Sequence, residues 1–121
     1  MVSHFKPATA IEGSKIVNEE GEHIGDITDL LIDLEKRTVA YAVLSFGGFL
    51  GFGEKLFAIP LEAFEFGASG DEEKIILNVS KEHLENAPGF DKDNWPENAD
   101  RTFISSVYSY YGFDPYWTRH K

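Results

Sequence analysis

Thr38–Pro60, TVAYAVLSFGGFLGFGEKLFAIP, is the stretch whose reading decides the fold. Val39 to Phe46 is rich in β-branched and aromatic residues, the signature of a strand. Leu56-Phe57-Ala58-Ile59 repeats the signal and stops at Pro60. Between the two runs, Gly47, Gly48, Gly51 and Gly53 allow backbone angles closed to other residues, and Phe49, Leu50 and Phe52 ride on that backbone. A connection this apolar either folds back as a plug on the barrel end or meets a partner.

Upstream, Ser14–Asn18 reads as a short strand closed by a Glu20-Gly21 turn. His23–Leu30 alternates with period two, except that Ile24, Ile27 and Leu30 fall out of simple register. A β-bulge near Gly25 or Asp26 reconciles them, because one extra residue bends a strand and shifts its phase. Leu31–Leu34 continues that strand, and Glu35-Lys36-Arg37 makes a charged hairpin tip. Downstream of Pro60, Leu61–Phe64 reads as a helical turn, Glu65-Phe66 as a short strand, Gly67–Glu73 as a polar loop and Lys74–Val79 as the last clear strand. Five or six short strands at this spacing predict a mainly β fold, a small, strongly bent antiparallel β-barrel. Closure is the economical answer because it removes exposed edges.

After Val79 the character changes. Ser80 caps a short helix, Lys81–Asn86, ended by Pro88 and Gly89. Asp91–Asn98 reads as an irregular linker. Asp100 then caps a second helix, Arg101–Tyr111, with Gly112 in the position just past its end. Phe103, Val107, Tyr110 and Tyr111 share one face of it, at i, i+4, i+7 and i+8. Phe103, Tyr108, Tyr110, Tyr111, Phe113, Tyr116 and Trp117 give the tail seven large aromatics. Each buries roughly 150–250 Å². Three left exposed together exceed about 450 Å², as large as the biggest patch on an ordinary monomer. The tail is therefore expected to pack on its own barrel, on a second copy or on another protein. The domain boundaries expected are a lead-in over 1–10, a barrel over 11–80 and a helical, aromatic extension over 81–121.

Composition bounds the function. The chain has 121 residues, 42% apolar and 14% aromatic, with a formal charge of −10 from 21 acids against 11 bases. That length is one domain. That charge disfavours phosphate neutralisation on nucleic acid and docking on anionic headgroups. There is no cysteine, which removes disulfides, thiol nucleophiles and Cys-based zinc sites. No apolar signal core and no run long enough to span a membrane is visible, so a cytoplasmic protein is expected.

The chemical motifs fail on inspection. Gly48 to Gly53 has P-loop spacing, but Glu54 stands where lysine must neutralise phosphate. Asp91-Lys92-Asp93-Asn94 starts like a calcium loop and then has Trp95 and Pro96 where a ligand and glycine belong. His4, His23, His83 and His120 show no ligand spacing. The serines lack a nucleophile-elbow setting. Glu19-Glu20-Glu22 and Asp71-Glu72-Glu73 sit at turns. Asp26, Asp29 and Asp33 lie along one strand among apolar residues, either as a polar face or as a small-ligand or divalent-metal site of a stress-related protein. A Lys or Arg facing them would make them a structural ion pair instead. No cofactor, metal ligand or catalytic residue is nominated, and the expectation is a non-enzyme.

The assembled pieces resemble the PRC-barrel domain family, the module named for the cytoplasmic part of the photosynthetic reaction-centre H subunit. The matching residues are Gly13-Ser14-Lys15-Ile16-Val17-Asn18, Gly21 to Ile27, Asp29-Leu30-Leu31-Ile32-Asp33, Val39 to Ser45 and Phe57-Ala58-Ile59-Pro60. Together they cover about Ala10–Val79. The Gly47–Gly51 loop, the Asn86–Pro96 segment and the Tyr-rich end are similar to those of stand-alone bacterial members. The resemblance implies a bent barrel of about six strands with a helical tail, and adapter-like protein binding without known catalysis. The family also includes the barrel of a ribosome maturation factor, which contacts a ribosomal protein. Neither that factor's extra N-terminal domain nor the H subunit's transmembrane helix is seen in the sequence, so neither job is carried over. The expected function is a self-associating interaction module, a dimer or higher, with unknown protein partners. Its expected contact residues are Phe49, Leu50, Phe52, Tyr108, Tyr111, Tyr116 and Trp117.

Overall fold

The computed structural model describes residues 7–45, 55–66, 75–91 and 101–118. One helical turn, α1 (Ala8–Ile11), precedes β1 (Lys15–Val17), the long β2 (His23–Asp33), β3 (Thr38–Ser45) and β4 (Lys55–Ile59). A 3-10 turn at Leu61–Ala63 leads into β5 (Phe64–Phe66), followed by β6 (Ile75–Leu77), α2 (Lys81–Glu85), β7 (Gly89–Asp91) and α3 (Arg101–Tyr110). The strands form one sheet in the order β5-β6-β1-β2-β3-β4-β7. Six of them, β1–β6, make a curled half-barrel, and the three-residue β7 adds to the edge of β4. β1 and β6 pair in parallel, and the other ladders are antiparallel.

The phase slip in β2 is resolved by bulges, at positions flanking the expected ones. Ile24 is the extra residue against β1, where Ile16 faces Gly25 and Val17 faces His23. Thr28 is the extra residue against β3, where Ile27 faces Leu44 and Asp29 faces Val43. With these two offsets Ile24, Ile27 and Leu30 all reach the same core. A third bulge lies in β3, where Ala40 stands between the Ile32–Val39 and Leu31–Tyr41 rungs. Gly25 is required by close approach. A Cβ there would lie 2.6 Å from the Ser45 carbonyl oxygen and 3.1 Å from the Leu44 side chain.

Two cores result, one on each side of the sheet. Inside the curl, Ile16, Ile24, Ile27, Ala42, Leu44, Phe57, Ile59, Phe64, Ile75 and Leu77 pack together, closed by Leu84 of α2 and by Ala87 just past its end. The Ser80 hydroxyl caps α2 by accepting from the His83 N–H at 3.0 Å. On the outer side, Ala40, Tyr41, Val43, Leu56 and Ala58 meet Ile104, Val107 and Tyr108 of α3. β3 and β4 are thus buried on both faces, which is why both read as unbroken apolar runs rather than as alternating ones. Each fully buried aliphatic side chain of α3 contributes about 1.5–3 kcal/mol of burial.

The face that α3 buries is rotated from the expected one. Ile104, Val107 and Tyr108 are its buried residues, while Phe103 and Tyr111 lie at the margin. Tyr110 turns instead to α2, stacking on His83 at 4.3 Å and donating its hydroxyl to the His83 carbonyl at 2.5 Å. One further reading is corrected. Asp91, expected to open an irregular linker, ends a strand, because Gly89–Asp91 pairs with Lys55–Phe57. Gly89 permits that approach: a Cβ would lie 2.7 Å from the Leu56 carbonyl oxygen.

Gly25→Ala places a methyl against backbone that cannot move alone, an overpacking that typically costs about 1–3 kcal/mol. Urea unfolding of this variant is expected to show a lower midpoint with an unchanged slope.

Candidate functional site

The β2–β3 hairpin tip and the C-terminal arm meet at Asp33. The hairpin geometry starts with Asp33 itself, whose Oδ1 accepts from the Glu35 and Lys36 N–H groups at 3.0 Å each. Its carbonyl accepts from the Arg37 N–H at 2.6 Å, and Arg37 closes the turn at φ +59°. An aspartate at the head of a turn does this because its short side chain reaches backbone two and three residues on.

The second carboxylate oxygen points to the tail. Oδ2 accepts from the Tyr116 hydroxyl at 2.5 Å and lies 3.2 Å from Nη2 of Arg101. The same Nη2 is 3.1 Å from Oε1 of Glu35, and Nη1 donates to the Tyr116 oxygen at 3.4 Å. The guanidinium also lies 4.5 Å from the centre of the Trp117 ring, a cation–π contact. Asp33 is 5% exposed. A buried carboxylate demands such partners, since an unpaired one is strongly destabilising.

The chain reaches this point through the end of α3. Gly112, at φ +85°, donates to the Ser109 carbonyl at 3.0 Å, and Phe113 donates to the Tyr108 carbonyl at 2.9 Å. These are the two bonds of a Schellman ending. A 3-10 turn, Tyr116–Thr118, then presents Tyr116 and Trp117 edge-to-face at 5.0 Å. Deeper in, the Tyr108 hydroxyl donates to the Ala40 carbonyl at 2.7 Å. That carbonyl belongs to the bulge residue of β3, so α3 partners a buried acceptor in an irregular rung.

The electrostatics lock each group in one protonation state. The Tyr116 hydrogen bond, then the Lys36 amide and the Arg101 charge, hold the Asp33 carboxyl down at about 2 against desolvation. Burial and the bond to Asp33 push the Tyr116 phenol up to about 12. The bonds to Tyr116, Glu35 and Asp33 raise the Arg101 guanidinium further. A general acid or base needs a pKa near the working pH. These groups are driven the other way, toward a fixed charge pattern that suits a latch.

The other candidate residues scatter. Asp26 lies 3.0 Å from Nε2 of His23, both about half exposed, and Asp29 accepts from the Leu30 N–H at 2.8 Å. Asp26, Asp29 and Asp33 therefore serve separate partners, and Arg101 faces Asp33 as the ion-pair reading requires. No group of three or more metal-ligating side chains converges among the described residues. Tyr108 is 1% exposed and lies inside the molecule. Tyr111 packs between both cores, with its hydroxyl buried and without a hydrogen-bond partner among the described residues. Burial, with Tyr110 beside it, pushes that phenol up. Tyr116 and Trp117 are half-buried against the outer core. Phe49, Leu50 and Phe52 lie outside the described residues. Sequence reasoning missed Arg101 and Glu35 as partners of Asp33.

Tyr116→Phe removes a hydrogen bond to a charged acceptor and is expected to lower stability by about 1.5–3 kcal/mol in chemical denaturation. The pH dependence follows from the depressed Asp33 value. The contribution of its charge is complete above the ordinary carboxylate value of 3.8 and is lost as pH falls toward about 2. Asp33→Asn lacks it at every pH. The stability gap between the two proteins is therefore expected to narrow from pH 5 to pH 2, read by melting temperature across that range.

Among the described residues no helix is long and apolar enough to cross a membrane. A search of curated proteins found no match. The family model for the PRC-barrel domain matches residues 4–84, which contain α1 and β1–β6, while β7, α3 and the aromatic arm lie beyond it. With that match across the half-barrel, the chain belongs to the PRC-barrel domain family.

Proposed function

We propose that this PRC-barrel protein is a non-catalytic interaction module, a cytoplasmic adapter that associates with itself. The observation that carries the reading is the commitment of Asp33. The one carboxylate of the Asp26/Asp29/Asp33 set that burial could have tuned for chemistry is held by Tyr116, Arg101 and two backbone amides. Its role is to fasten the tail to the hairpin, and the tail aromatics Tyr108, Tyr116 and Trp117 serve that same closure. Membership of a family of small adapter-like barrels supports the same reading.

In this reading Phe49, Leu50 and Phe52 supply the contact surface, because aromatic anchors bury much area at low entropic cost. They belong to the connection between β3 and β4, whose anchoring rung is Ser45–Leu56. Replacing Phe49 and Phe52 together by Ser tests it. Loss of association with an unchanged melting temperature is the expected result. A large drop in stability would make the same residues a barrel plug. The ion-binding alternative makes an opposite prediction, a melting temperature raised by millimolar divalent cations. The adapter reading expects no such rise.

A further inference from the structure

The outer face of β3 and β4 belongs to the family domain, whereas its cover does not. Ala40, Tyr41, Val43, Leu56 and Ala58 lie inside the matched residues 4–84, and α3 with the aromatic arm lies beyond them. Every strand of the sheet precedes α3 in the sequence, and no rung of the sheet uses α3 among the described residues. The sheet therefore keeps its backbone pairing if α3 leaves. What it loses is the cover of its apolar side chains, which water does not replace. Only another apolar helix can take that place.

What α3 supplies sets the chemistry of such a helix. Ile104, Val107 and Tyr108, at i, i+3 and i+4, fill the face. The Tyr108 hydroxyl also meets the Ala40 carbonyl at 2.7 Å. At the head of α3, Arg101 reaches Asp33 at 3.2 Å and Glu35 at 3.1 Å. The Glu35 side chain is 79% exposed, so a second guanidinium can reach it before Arg101 lets go of Asp33. A chain charge of −10 draws a basic partner toward that point.

The resident cover is also imperfect. The Tyr111 hydroxyl is buried without a hydrogen-bond partner among the described residues. Water satisfies that group when the arm is off the sheet, and nothing does when the arm is on. It therefore works against closure.

We propose that α3 and its arm are an exchangeable, autoinhibitory cover, and that the face beneath them docks an amphipathic helix of a partner protein. That helix carries aliphatic side chains at i and i+3, a tyrosine at i+4 and an arginine three positions ahead of the first. The exchange does not depend on association through Phe49, Leu50 and Phe52, so either can fail without the other.

The probe is a labelled peptide of residues Arg101–Thr118, titrated into the full-length protein and followed by fluorescence anisotropy. Arg101→Ala/Tyr116→Phe weakens the resident arm but leaves Asp33 and Glu35 free for the intact arginine and tyrosine of the peptide. This variant is expected to bind the peptide more than about tenfold more tightly than the unsubstituted protein does. Adding Asp33→Asn is expected to remove most of that gain, because the peptide then loses its anchor. Adding Tyr111→Phe instead is expected to weaken peptide binding by about tenfold, since the resident arm then closes without an unpaired hydroxyl. Should the double variant fail to fold, Tyr116→Phe alone is titrated, with the same direction expected. Equal binding by variant and unsubstituted protein overturns the exchange, as does a gain that Asp33→Asn leaves intact. Sedimentation of the double variant mixed with unsubstituted protein, both carrying Phe49→Ser/Phe52→Ser, checks the occupant. A mixed dimer there makes it a second copy of this chain and overturns the assignment to a partner.

Discussion

β3 and β4 carry apolar side chains on both faces, and a sheet with two such faces in water needs two covers. The curl of the sheet, with α2 across its opening, provides the first. The second has to come from elsewhere in the chain, and α3 provides it with Ile104, Val107 and Tyr108. Much else follows from that demand. The β3 bulge at Ala40 turns a carbonyl toward α3, where the Tyr108 hydroxyl meets it. The Schellman ending at Gly112 reverses the chain so that Tyr116 and Trp117 return to the hairpin.

Hydrophobic burial is not directional, so it alone would hold α3 to the sheet without fixing its position. Asp33 supplies the position. One carboxylate oxygen shapes the hairpin tip and the other receives the arm, so a single side chain couples a local turn to a contact with Tyr116, 83 residues away in sequence. The Arg101 guanidinium bridges Asp33 and Glu35 while lying over Trp117, combining the planar, multidentate pairing and stacking that lysine does not offer. The latch lies beyond the residues matched by the family model at its tail end and within them at its hairpin end. In this chain a family barrel carries its own cover, and the hairpin is where the two are joined.

Most strands were legible because their signals are local. The turn at Gly21, the hairpin tip at Glu35–Arg37 and the Ser80 cap all depend on residues within a few positions of one another. The Ile24/Ile27/Leu30 phase slip pointed to a bulge, although its placement against β1 and β3 separately depends on which partner each rung faces. The aromatic spacing of α3 does not mark its buried face, because Ile104 and not Phe103 is fully buried there. In the folded chain the outer face of the sheet takes the aliphatic Ile104 and Val107 with Tyr108, while Tyr110 finds His83 on α2. β7 escaped notice because three residues carry too little pattern to separate a strand from a loop. One overlooked signal was available: the unbroken apolar runs of β3 and β4 already imply burial on both faces.

By itself the sequence determined the strand succession, the hairpin and cap positions, the acidic character and the family, all of which rest on near neighbours in the chain or on composition. Tertiary structure alone decided that Asp33 joins the hairpin to the C-terminal arm and that Tyr108 is internal. The physical reason is the same in each case. A carboxylate or a phenol acquires its role from the groups placed opposite it, and those groups come from segments whose separation along the chain says nothing of their distance in space.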